Sequence, residues 1–149
     1  MRAGWALLAA MAAVVSACGQ GGGSPASGDA KKLLAELPSP YNAADLANGE
    51  AHFSLCKSCH TIVQGGADMT GPNLYGVVGR KAASKLGYSY SEALKAKGFI
   101  WDAPTLDQWL SGPQALVPGT KMSFPGLKDP IDRRDVIGYL KVAGSATPS

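Results

Sequence analysis

The chain has 149 residues, of which 14 are basic, 11 acidic and 46% hydrophobic. That length fits one ordinary domain of ~100–150 residues with a modest extension, and a charge so near balance argues against a nucleic-acid binder. Much of the hydrophobic content lies in one N-terminal run, so the remaining core is modest for its length and something besides apolar side chains is expected to fill it.

At the N-terminus Arg2 precedes an almost unbroken apolar stretch, Ala3 to Val15, followed by Ser16-Ala17-Cys18. A charged start, an apolar run and small residues form the pattern of a secretory signal peptide, here residues 1–17. The run is shorter than the ~20 residues a transmembrane helix takes. Val15-Ser16-Ala17-Cys18 resembles a bacterial lipobox, which makes Cys18 the first mature residue and a lipidation site. The alternative is ordinary cleavage after Ala17, leaving a free thiol. Lipidation accounts for a third cysteine that is otherwise an odd thiol in a secreted chain. The expected location is therefore the periplasmic side of a bacterial membrane, held by lipid.

Residues 18–40 are rich in Gly, Ser and Pro, a composition that buries too little apolar surface to offset its ordering entropy. They are expected to form a flexible tether spanning about 25 Å. Lys31 to Leu37 within it would make at most a marginal helix, because so short a helix is unstable in isolation.

The folded domain is expected over residues 41–143, with a disordered tail at 144–149. Its first helix should begin near Asn42 and carry Leu46, Gly49 and Phe53 on one face. A glycine inside a helix costs about 1 kcal/mol relative to alanine, so Gly49 points to a close backbone approach. Further helices are expected around Ser91 to Lys97 and from Pro104 to Leu110, the latter with Leu106, Trp109 and Leu110 turned inward. A last helix follows Asp129 as N-cap and Pro130 at the first helical position, burying Val136, Tyr139 and Leu140. No stretch alternates with a period of two, so the fold class is all-α. Gly65 to Gly87 and Gly112 to Gly126 read as Gly- and Pro-rich loops, long enough to suit a chain wrapped around a large rigid insert.

Cys56-Lys57-Ser58-Cys59-His60 has the C-x-x-C-H spacing of c-type haem attachment. Two thiols three residues apart on a helical turn can add to two vinyl groups on one side of a porphyrin, and the adjacent histidine then lies under the iron. A thioredoxin-type redox pair wants a βαβ setting and a zinc site wants a second ligand pair; neither is present. Besides His60, the mature chain offers His52, Met69 and Met122 as iron ligands. His52 lies on the same helix as the motif and is expected to be a solvated side chain. Met69 follows His60 by nine residues, leaving little chain to cross a macrocycle. Met122 has ample length, in a loop stiffened by Pro118.

Gly71-Pro72-Asn73-Leu74-Tyr75-Gly76-Val77-Val78-Gly79-Arg80-Lys81, then Tyr88-Ser89-Tyr90, then Pro118-Gly119-Thr120-Lys121-Met122 resemble class I cytochromes c of the mitochondrial and bacterial c2 type, over about Asp45 to Lys141. The resemblance implies the class I fold, short helices and long loops around one covalent haem c. It implies Met122 as sixth iron ligand and the Pro72 carbonyl as acceptor for the ring N–H of His60. It assigns Arg80, Tyr90, Trp101 and Thr120 to the haem propionates, Leu74 and Leu110 to the pocket lining, and Phe124 to the exposed haem edge. Gly49 and Phe53 would cross the final helix at Val136 and Tyr139.

Two departures stand out. Leu94 occupies a pocket position where many relatives place a hydrogen-bonding Asn, which calls the usual internal water network into question. Leu55 and Gln114 stand where mitochondrial relatives often carry docking lysines, leaving Lys57, Lys81, Lys121 and Lys128 as a smaller basic patch. With both axial positions filled, the expectation is a single-electron carrier and not an enzyme, without small-molecule substrate. Expected partners are a quinol–cytochrome c reductase-type donor and an oxidase or reaction-centre acceptor. A fixed electron-entry subunit of an oxidase or dehydrogenase is one rival reading; a haem peroxidase or gas sensor with one axial position free is another.

Overall fold

The computed structural model describes residues 27–145. The signal segment, Cys18, the start of the tether and the tail from residue 146 lie outside the described residues. Six α-helices are described: α1 Ser27–Ala35, α2 Leu46–Phe53, α3 Glu92–Lys97, α4 Ala103–Ser111, α5 Pro113–Leu116 and α6 Pro130–Ala143, with a 3-10 turn at Tyr41–Ala43. Among the described residues the only β-type pairing is an isolated bridge between Lys81 and Ile100.

The helix starts follow from side chains that accept orphan backbone N–H groups. Ser91 caps α3 by accepting from the Leu94 N–H, Asp102 caps α4 through Thr105, and Asp129 caps α6 through Ile131. The helix expected from Asn42 starts later. Asn42 is taken up in the 3-10 turn, and Asp45 caps α2 by accepting from the N–H groups of Ala47 and Asn48 at 2.9 and 3.1 Å. Inside the stretch expected to be loop, Pro113 opens the short α5. At the other end Gly144, expected in the tail, is buried at the α6 C-cap, and its carbonyl accepts from the Gly76 N–H at 2.8 Å.

From Ser27 onward the expected tether is part of the fold. Ala30 of α1 and Leu37 just beyond it are each only 7% exposed, Leu34 reaches Gly138 of α6, and Glu36 pairs with Lys141 of α6 at 2.7 Å. The instability of a short helix applies to one standing alone; docking on α6 supplies the apolar burial that it lacks.

The frame that positions everything else is the crossing of α2 over α6. A Cβ on Gly49 would run into the backbone carbonyl of Asp135 and come within 2.9 Å of the Tyr139 Cβ, so the absent side chain is what lets the helices touch. One turn on, the Phe53 and Tyr139 rings pack with centroids 5.2 Å apart. Val136 and Ile137 are fully buried beneath them. Asp135, 1% exposed, accepts from the Asp45 N–H at 2.9 Å, from Asn48 Nδ2 at 2.9 Å and from Arg134 at 2.7 Å. On the other side of α6, Arg133 donates to Asp107 of α4 at 2.9 Å.

Burial pushes the Asp135 carboxyl up, but the hydrogen bonds from Arg134, the Asp45 N–H and Asn48 outweigh it and hold it below the usual carboxylate range. A depressed folded-state pKa contributes stability that is present above the unfolded value, ~3.9, and is lost as pH falls through the folded one. Asp135→Asn is therefore expected to cost about 2 kcal/mol at pH 7, the loss of charge-assisted bonds at a buried site. Parent and variant stabilities should converge as pH drops below about 4. Denaturant unfolding at a series of pH values checks this.

Candidate functional site

Beyond α2 the chain continues in tight turns. The Cys56 N–H donates to the Phe53 carbonyl at 2.8 Å, and the N–H groups of Cys59 and His60 both donate to the Cys56 carbonyl, at 3.0 and 2.9 Å. Cys56, Cys59 and His60 are thereby carried, half-buried, onto the wall of a cavity of about 360 Å³. That lies in the ~300–1,000 Å³ range of cofactor sites. Neither cysteine is tied up in a disulfide. Burial first, and the neighbouring Cys59 second, push the Cys56 thiol up to about 11.

The segment that follows clamps the imidazole. The Gly71 N–H donates to the Cys59 carbonyl and the Leu74 N–H to the Thr61 carbonyl, both at 2.8 Å, so residues 71–74 run alongside 59–61. A Cβ on Gly71 would collide with the His60 ring. His60 Nδ1 lies 2.7 Å from the Pro72 carbonyl oxygen, and because a carbonyl can only accept, Nδ1 carries the proton. Burial lowers the His60 pKa and outweighs that hydrogen bond, which raises it. The ring is thus a neutral imidazole whose Nε2 keeps its lone pair for a metal. Asn73, 4% exposed, locks the segment: its Nδ2 donates to Thr61 Oγ1 and the Val63 carbonyl, and its Oδ1 accepts from the Tyr75 N–H.

Met122, half-buried, reaches the same cavity from the loop after α5. Neither other candidate ligand lines it. Met69 is 47% exposed on the surface, and His52 is held by Asp132, with Nε2 3.1 Å from Oδ1. The cavity wall is mainly apolar: Leu74, Leu94 and Leu110 line it, with Phe124 and the indoles of Trp101 and Trp109. The two indoles meet edge to face at 5.1 Å. Polar side chains enter from Arg80, Tyr90 and Thr120. Arg80 donates to the carbonyls of Tyr75 at 3.1 Å and Asn73 at 3.4 Å, and no carboxylate among the described residues lies within ion-pair distance of it. Pro72 also touches the cavity, so every residue of the described chain that was expected to contact the cofactor lines one space. Of the expected basic patch, Lys121 bonds to Ser89 and Lys128 to the carbonyls of Ser111 and Pro125, while Lys57 and Lys81 are exposed.

Comparison with known proteins agrees with this geometry. The cytochrome c family model matches residues 46–143. The chain belongs to the cytochrome c family. It is 49% identical over 102 residues to cytochrome c2 of Rhodomicrobium vannielii, covering 68% of this chain and 82% of that one. It is 44% identical over 103 residues to cytochrome c-554 of Methylosinus trichosporium, covering 69% and 78%. Among solved structures it is similar to cytochrome cH from Methylobacterium extorquens, with TM-score 0.63 and 48% identity over 66% of this chain and 98% of that one. The fold is thus the class I cytochrome c fold, and the chain is an electron carrier with one covalent haem c, not an enzyme. The residues suit that group: two thiols and an imidazole on one turn, a thioether from a separate loop, an apolar cradle, and a guanidinium without a carboxylate partner.

Trp109, expected only as a core residue, lines the cavity too, as do Val77 and Tyr88, present in the sequence motifs without a role, and Thr70, which no motif marks. Asn73 likewise stands in a motif without an expected role of its own. A buried amide beside the attachment motif is the signal that could have marked it, since such a group needs several partners.

Proposed function

We propose that His60 and Met122 are the two axial ligands of the haem iron, and that the protein passes single electrons between redox partners outside the cytoplasm. What supports this is that both side chains line one cavity, while Met69 and His52 do not. Haem c supplies an iron that alternates between ferric and ferrous states. The chain's own residues do the rest. The Pro72 carbonyl holds the His60 ring in one tautomer and one orientation, with Nε2 free to bind metal. Met122 offers a soft thioether, which raises reduction potential, as does the dry apolar wall. Arg80, Tyr90, Trp101 and Thr120 offer donors for the propionates, with Arg80 supplying the compensating charge. Phe124, half-buried beside the cavity, suits an exposed edge through which electrons leave.

Cys18 as a lipid anchor places the domain at the periplasmic face of a membrane, near a quinol-oxidising donor and a terminal acceptor. Because α1 is docked, only residues 18–26 separate the anchor from the folded body. That is a reach of about 30 Å at ~3.3–3.6 Å per residue. Val136 and Leu140 face the cavity, whereas α1 meets α6 at Gly138 and Lys141, on another side of the helix. α1 thus packs on a side of α6 other than the one that lines the cavity, and it does not compete with the cofactor for that face. An anchor so few residues from α1 favours membrane-bound partners, and the docking of α1 on α6 is what keeps the fixed electron-entry subunit as a second reading.

Met122→Ala should abolish the weak long-wavelength band of methionine-ligated ferric haem and let carbon monoxide bind the ferrous form at neutral pH. A mutant that keeps the parent spectrum overturns the ligation. Cys18→Ala should move the protein from the membrane to the soluble fraction, and continued co-sedimentation with membranes argues against the lipid anchor.

A further inference from the structure

The loop that delivers Met122 is short of regular structure, and what holds it in place is a side chain outside the cavity. Gln114 belongs to α5, a turn fixed at both ends, because Pro113 is buried and Val117 is fully so. Its Nε2 donates to the Thr120 carbonyl at 2.9 Å and to the Met122 carbonyl at 3.2 Å. A side-chain amide nitrogen has two hydrogens, so it can serve both acceptors at once. Within the loop, the Thr120 N–H donates to the Val117 carbonyl at 3.0 Å, and Thr120 Oγ1 accepts from the Met122 N–H at 3.3 Å. On the far side of the bracketed residue, Lys121 Nζ is drawn to Ser89, 2.9 Å from its carbonyl and 3.3 Å from its hydroxyl. The Met122 backbone is therefore held at both of its polar groups, the N–H by Thr120 Oγ1 within the loop and the carbonyl by Gln114 from α5, while Lys121 ties the neighbouring residue to Ser89.

Resting on the reading of Met122 as axial ligand, we infer that Gln114 is a positioning residue for it. By holding the carbonyls of residues 120 and 122 against α5, it keeps the thioether over the cavity and raises the cost of the loop swinging away. It touches neither the cavity nor the reacting atoms. The role needs a donor: a lysine there can keep one such bond, whereas a glutamate of the same shape can give none and sets a negative charge against two carbonyl oxygens.

The test is equilibrium binding of imidazole to the ferric holoprotein, followed together with the methionine-ligation band. Q114E should bind imidazole about tenfold more tightly than the parent, the factor expected for one to two lost hydrogen bonds. Q114K should return to within about twofold of the parent. Asp135→Asn, which weakens the fold remote from the loop, should leave imidazole affinity at the parent value, separating positioning from general destabilisation. Q114E binding at the parent affinity, or Q114K as open as Q114E, overturns the inference. A parent that already lacks the band and takes up imidazole freely overturns the Met122 reading instead, and this one with it.

Discussion

A domain of this size cannot keep a cavity of about 360 Å³ in its middle dry and empty. At ~24 cal/mol per Å³ such a void costs on the order of 9 kcal/mol, as much as the whole stability of a typical domain. The walls are leucines and indoles that water would serve poorly. Haem c is therefore as much the core of this protein as its cofactor, and the modest apolar content of the chain beyond its N-terminal run follows from that. Short helices joined by long Gly- and Pro-rich loops would be a weak design around an ordinary core, but around a large rigid insert each loop has something to pack on.

The α2–α6 crossing connects that core to the chemistry. Gly49 lets the helices touch, Phe53 and Tyr139 pack over the contact, and Asp135 ties the start of α2 to α6 through three donors. The end of α2 is thereby set, and the turn bearing Cys56, Cys59 and His60 grows directly from it. Gly71 and Asn73 then lay a second segment against the His60 ring, and the Pro72 carbonyl accepts a hydrogen bond from its Nδ1–H. An imidazole held from both sides has little freedom to move, which suits the axial role proposed for it.

Much of this was legible in the chain because covalent chemistry fixes residue types and spacing: two cysteines and a histidine in register admit few other uses. The cap at Asp129 was legible for a similar reason, since helix termini demand particular side chains. What escaped depends on tertiary context. The helix at Ser27–Ala35 has no stability of its own, and only α6 makes it worth forming. Asn42 and Asp45 are both good caps by type, and the 3-10 turn decides between them. Asp135 reads as one more charge along α6 until α2, some ninety residues away, is brought against it. Gln114 looked like a missing lysine; its two bonds exist only because α5 and the Met122 loop fold back together.

The most direct test of this account is thermal unfolding, by far-ultraviolet circular dichroism, of a Cys56→Ser/Cys59→Ser variant prepared free of haem and compared with the mature protein. The account predicts reduced helical signal and no cooperative transition in the haem-free chain. A sharp transition near that of the mature protein would contradict it, since the polypeptide would then close its own core unaided.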